Sequence, residues 1–168
     1  MVKKMISLLG VKRKIVTTSL VLASIASGAT TALAGITTPT STLNSIVITS
    51  GNYAWLGDAT SQYNCLAYAL GNYSSWVWPW GSNNPTSTQV DTYLYGKGFI
   101  TSKPIDSYDV AAYEIISYGS SSSITHFSRI AAGGYSNAKW GQLERLQSYG
   151  WQPYKPTPYG PGVRKYAH

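Results

Sequence analysis

The order of apolar and polar positions divides the chain near residue 34 and predicts a helix-then-strand arrangement after it. Residues 1–34 run from a basic start (Lys3, Lys4, Lys12, Arg13, Lys14) through an apolar stretch from Ile15 to about Ala26. They end on Ala32-Leu33-Ala34. These are the three parts of a secretory leader, with cleavage expected after Ala34 and export of the remainder. Thr17, Thr18 and Ser19 interrupt the apolar stretch, which is too short to span a bilayer comfortably, so no lasting membrane insertion is expected after cleavage. Residues 35–50 are Ser/Thr-rich with a single proline and read as a tether or an edge strand, and 51–168 as one domain.

Within that domain, Asn64 precedes Cys65-Leu66-Ala67-Tyr68-Ala69-Leu70-Gly71, which combines an N-capping residue, helix formers and a terminating glycine. Pro79 forbids a helix through Trp76–Trp80 and predicts an extended loop. A second helix is predicted from Ser87, with Val90 and Leu94 on one face, ending at Gly96; Phe99-Ile100 opens a short strand. Val110–Tyr118 is rich in strand formers and Gly119–Ser123 reads as a turn. Ile124–Ile130 alternates, placing Ile124, His126, Ser128 and Ile130 on one face. Gly133-Gly134 predicts a two-residue hairpin turn returning through Tyr135–Trp140, Gln142–Gln147 a helical turn, and the Pro/Tyr/Gly-rich remainder a surface wrap. The fold class that follows is α+β: helices first, then an antiparallel meander.

Composition narrows the function classes. Of 168 residues 43% are hydrophobic and only 11% charged, with 14 Tyr and 6 Trp, which excludes a disordered chain. The formal charge of +7 belongs mostly to the leader, which holds five of the 13 basic residues and none of the 6 acidic ones. No basic cluster remains after it, so nucleic acid is not an expected partner. One Cys and two His leave no metal-ligating set, and no metal or cofactor is expected.

The single Cys is placed where chemistry favours it. Asn64 as cap puts Cys65 in the first turn of a helix, where free backbone N–H groups stabilise a thiolate. His126, the only internal histidine, is the available base, and its strand face points it at whatever packs on the sheet, for which the Cys-bearing helix is the natural candidate. The competing reading is that Cys65 is a small buried hydrophobe and His126 a strand residue satisfied by hydrogen bonds.

Tyr63-Asn64-Cys65-Leu66-Ala67-Tyr68-Ala69-Leu70-Gly71, Trp76 to Pro79, Thr125-His126-Phe127-Ser128-Arg129 and Lys139-Trp140-Gly141-Gln142-Leu143-Glu144 resemble an uncharacterised bacterial domain family. Its members carry an Asn-Cys-x-Ala-Trp-Ala-x-Gly helix start, a Trp-Pro loop, a His-x-x-Arg strand and a Ser-Lys-Leu-Gly segment. Tyr68 stands where that family usually has Trp, and Ala138 where it has Ser. The order of parts is also similar to papain-like cysteine peptidases of the NlpC and CHAP type. That similarity implies a Cys-bearing helix packed on an antiparallel meander and a Cys65–His126 pair acting on peptide or amide bonds, with cell-wall peptidoglycan as the implied substrate.

In such sites a polar group on the following strand orients the His. A two-residue turn at Gly133-Gly134 sets Ile130 opposite Asn137 and Ser128 opposite Lys139, making Asn137 the candidate orienter; Asp106, Asp109 and Glu144 are outside candidates. Glu144 has the simpler role of a salt bridge with Lys139. Gln62 is the candidate side-chain donor to an oxyanion. Trp76, Trp78 and Trp80 form a candidate aromatic platform for substrate. Arg129 and Arg145 read as ordinary ion-pairing residues. A secreted monomeric cysteine hydrolase is expected; the alternative is a non-catalytic, aromatic-rich cell-wall or carbohydrate-binding module, or a toxin-like protein, on the same fold.

Overall fold

The computed structural model describes residues 35–108 and 111–168; the expected leader and its cleavage point lie outside them, as do Asp109 and Val110. Helix α1 spans Thr40–Ile46, strand β1 Ala54–Gly57, helix α2 Cys65–Ala69 and helix α3 Ser87–Tyr95. Strands β2 to β7 follow at Thr101–Pro104, Ile115–Ser120, Ser123–Ala131, Tyr135–Lys139, Arg145–Tyr149 and Gly162–Ala167. The strands form one sheet in the order β1-β6-β5-β4-β3-β7-β2. Every neighbouring pair is antiparallel, so the α+β class stands.

Alternate residues of the central strands feed two cores. On one face Ile115, Ile124 and Phe127 pack with Leu66 of α2 and Val90 and Leu94 of α3. On the other, Ile116, Tyr118, Ala138 and Leu146 pack with Leu43 and Ile46 of α1 and with Trp140 and Tyr154. All four sheet residues of that second core are completely buried, and Ile116 and Leu146 each remove apolar surface worth about 1.5–3 kcal/mol from water.

The two C-terminal-most helices start and stop where the sequence places them, because their caps are local. Asn64 Oδ1 accepts from the Ala67 N–H, and Thr86 and Gln89 close a capping box on α3. Long-range packing overrules the reading in four other places. Residues 35–50 are neither tether nor edge strand: Leu43, Ile46 and Val47 recur at helical spacing and are buried, so Thr40–Ile46 is helical. The predicted turn over Gln142–Gln147 is strand β6, which extends the meander and pairs with β1. The Pro/Tyr/Gly-rich tail ends in β7, an interior strand between β3 and β2, where Tyr166 and Ala167 are buried. Strand β3 starts at Ile115, later than expected, and the turn after it narrows to Ser121-Ser122.

Two register details set the site. A bulge opposite Tyr118/Gly119 shifts β4, pairing His126 with Tyr118 but Ile124 with Gly119. Ile124 therefore joins Phe127 in the α2–α3 core, and the simple alternation that grouped Ile124 with His126 is broken. The β4–β5 connection is the three-residue turn Ala132–Gly134, with Gly133 and Gly134 both at positive φ, in place of a two-residue turn. Arg129 consequently pairs with Asn137 and Ile130 with Ser136. A slip of one residue moves every side chain of β5 to the other face.

Candidate functional site

The pairing of β4 with β5 ends at Arg129–Asn137, although both strands run on. The start of α2 meets this opening, where the Phe127 backbone N–H points at Cys65 Sγ together with the N–H groups of Leu66 and of Cys65 itself. These donors favour a thiolate, as does Lys139 by its charge. Burial outweighs them and pushes the Cys65 thiol up to about 11. Asn64 fixes the turn further by donating from Nδ2 to the Val77 carbonyl at 2.8 Å, tying the Trp-rich loop to the helix start.

His126 is fully buried, and neither ring nitrogen has a hydrogen-bond partner. Aromatic rings hold it instead. Tyr159 stacks on it at 3.7 Å with planes 9° apart, Tyr154 meets it edge-on at 5.0 Å, and Tyr118 lies at 5.8 Å. Burial pulls the imidazole down to about 3, so it is neutral at physiological pH. The ring belongs to the α1-side core and not to the face that α2 covers, contrary to the expectation from alternation. The two groups nonetheless converge: Cys65 and His126 both line one cavity of about 300 Å³, walled by Asn64, Trp76, Trp78, Thr125 and Tyr159. No hydrogen bond joins them, and Cys65 keeps 6% of its surface open. No charged side chain lines this cavity.

The other sequence candidates divide. Asn137 is not brought to His126: it faces Arg129 across the strand pair, and its Oδ1 accepts from Gln147 Nε2 at 3.0 Å. The longer hairpin turn is the reason. Gln62 is exposed and does not line the cavity. Trp76 stands half exposed at the cavity. Trp78 lines it while packing on Phe127, whereas Trp80 lies behind Trp78, edge-on to it at 5.3 Å and against Tyr93, and does not line the cavity. The three indoles thus do not make one platform. Asp106 accepts from Gln152 at the surface. Glu144 does not pair with Lys139; its Oε1 accepts from the Thr37 and Thr38 N–H groups at 2.7 and 2.8 Å. Lys139 is fully buried and donates to the carbonyls of Gly141 and Leu143. Burial lowers its ammonium to about 8, against the pull of Glu144 and Cys65.

Sequence reasoning missed Tyr159 and Tyr154, which stand in the segment read as a surface wrap. Their only signal was the density of Tyr and Pro there. Among the described residues no group of His, Cys, Asp and Glu is arranged to hold a metal ion, and no helix is long and apolar enough to cross a membrane.

A family model described as a domain of unknown function, DUF7689, matches residues 54–167. The chain belongs to that family. The match begins with β1 and ends with the last residue of β7, so it takes in α2, β4 and the whole sheet. No curated protein and no solved structure matches the chain.

Proposed function

We propose that this DUF7689 protein is an exported cysteine hydrolase of papain-like type, with Cys65 as nucleophile and His126 as general base. The observation that carries the reading is the shared cavity: it brings together the one thiol and a buried imidazole with both nitrogens free. A buried polar ring without partners costs about 1–3 kcal/mol, a cost that a site retains for a use. The resting pair is neutral, so the proton must move during attack. The thiol sulfur bonds to the substrate carbonyl carbon while its proton passes to the imidazole. The imidazolium then protonates the amine as the C–N bond breaks, leaving a thioester; water, deprotonated by the same ring, attacks it, the C–S bond breaks, and the ring returns its proton to the Cys65 sulfur as the acid leaves. The N–H groups facing the sulfur stabilise charge on it as the S–H bond breaks. Tyr159, stacked on the ring, does the orienting that a polar third residue does elsewhere.

The uncharged cavity walls favour a substrate whose acyl group beside the scissile bond is neutral, as an alanyl residue of a cell-wall peptide is. Peptidoglycan fragments incubated with wild type, Cys65→Ala and His126→Ala, and read by mass spectrometry, test this. New cleavage products from wild type alone are expected, with an acyl mass increment on Cys65 in quenched samples. Identical fragments in all three samples overturn it.

A second reading is favoured by one observation, the burial that disfavours both charged forms. Here the protein binds cell-wall material without turnover, through Trp76 and Trp78. Wall retention would then fall with Trp76→Ala and stay unchanged with Cys65→Ala.

A further inference from the structure

A second cavity, of about 420 Å³, lies at the opposite end of α2 from Cys65, between the helix end, the end of α3 and the β4 residue Arg129. Its polar groups are unlike those of the first cavity. Arg129 is half-buried and, among the described residues, its guanidinium makes neither a hydrogen bond nor an ion pair. Lys97 also lacks a carboxylate, its Nζ lying 5.4 Å from the centre of the Tyr93 ring. The one acid at the rim, Glu114, is engaged by His168 Nδ1 at 2.7 Å. Among the described residues, neither Arg129 nor Lys97 makes an ion pair with a carboxylate. The cavity's remaining walls mix the polar Asn72 with apolar and aromatic groups: Leu70, Val77 and Tyr93, with Phe99 in contact with the His168 ring at 4.0 Å.

A guanidinium offers five N–H donors in a planar fork and accepts nothing. Half-buried and without an ion-pair partner, it favours a planar bidentate partner, which a carboxylate is. The volume is at the lower end of small-molecule sites and matches a ligand the size of one or two amino acids. The geometry points to a binding site for a small organic carboxylate with an apolar or aromatic body, its carboxylate on Arg129 with Lys97 adding charge, and its body against Val77 and Phe99. The site is separate from the Cys65 cavity and does not depend on the hydrolase reading.

Phenylacetate, its neutral isostere phenylacetamide and inorganic phosphate are the probes, titrated into the ¹⁵N-labelled protein and followed by amide chemical shifts. Saturable shifts with phenylacetate are expected at residues 69–72, 97–99 and 129, with phenylacetamide at least tenfold weaker. Arg129→Gln is expected to weaken phenylacetate at least tenfold while leaving the rest of the spectrum in place, and Lys97→Gln to weaken it less. If Arg129→Gln loses its dispersed spectrum, Arg129→Lys serves, with partial loss expected because the fork is gone. Equal binding of acid and amide overturns the proposal, as does unchanged affinity in the Arg129 variants. Phosphate binding here in preference to phenylacetate also overturns the carboxylate assignment.

Discussion

Alkylation of Cys65 reads the electrostatics of the site directly. Burial pushes the thiol up to about 11 in spite of three facing N–H groups and the charge of Lys139, while the imidazole sits at about 3. An ordinary thiol titrates near 8.5, so at pH 7.5 roughly one in ten is thiolate. For Cys65 the fraction is about one in 3,000, some 300-fold less, and iodoacetamide reacts only with the thiolate. The measurement is the second-order alkylation rate between pH 6 and 11, followed by intact mass, for wild type and for His126→Phe, which keeps an aromatic ring on Tyr159. Both proteins should react about 300-fold more slowly than a free thiol at pH 7.5, and both should show one inflection well above 8.5. A reactive plateau below pH 8.5 in wild type that disappears in His126→Phe would refute the reasoning. It would show that the proton already rests on the imidazole and that burial does not keep the pair neutral.

Three further outcomes follow from the geometry. Glu144→Gln should destabilise the protein by about 2–3 kcal/mol at pH 7, because contacts with Thr38 and Thr37 bring a carboxylate that burial alone would raise down to about 2. The folded-state pKa is depressed, so this stability is present above the unfolded value near 4.5 and fades as pH falls toward 2; urea titrations at pH 7, 5 and 3 should show the difference shrinking, and a constant difference would contradict it. Gly119→Ala should cost about 3 kcal/mol in the same assay, since its φ is +127° and a Cβ would lie 2.2 Å from the Ser123 carbonyl oxygen; a near-neutral result would show that the bulge beside His126 is not needed. Asn64→Ala should cost about 1–2 kcal/mol by removing the α2 cap and the tie to Val77, and should slow any Cys65-dependent turnover more than Trp80→Ala does.

What could be read along the chain was local. Asn64, the Ala/Leu run and Gly71 define α2 through contacts within a few residues, and Thr86 with Gln89 does the same for α3. The existence of strand β4 and of a hairpin after it was likewise visible, as was the pairing of one cysteine with one internal histidine as candidates. Tertiary structure decided the rest. Whether Gln142–Gln147 coils or extends depends on β1 and β5 lying on either side, and β7 became a strand because β2 and β3 offer it two edges. The helical spacing of Leu43, Ile46 and Val47 became informative only once a sheet face existed to cover them. The site shows the same division. Residue identity marked Cys65 and His126, but one bulge and one extra turn residue decided which faces they and Asn137 occupy, because a strand reverses its side chains at every step. The tyrosines that enclose the imidazole arrive from a segment whose path is dictated by packing, over a distance that no local pattern encodes.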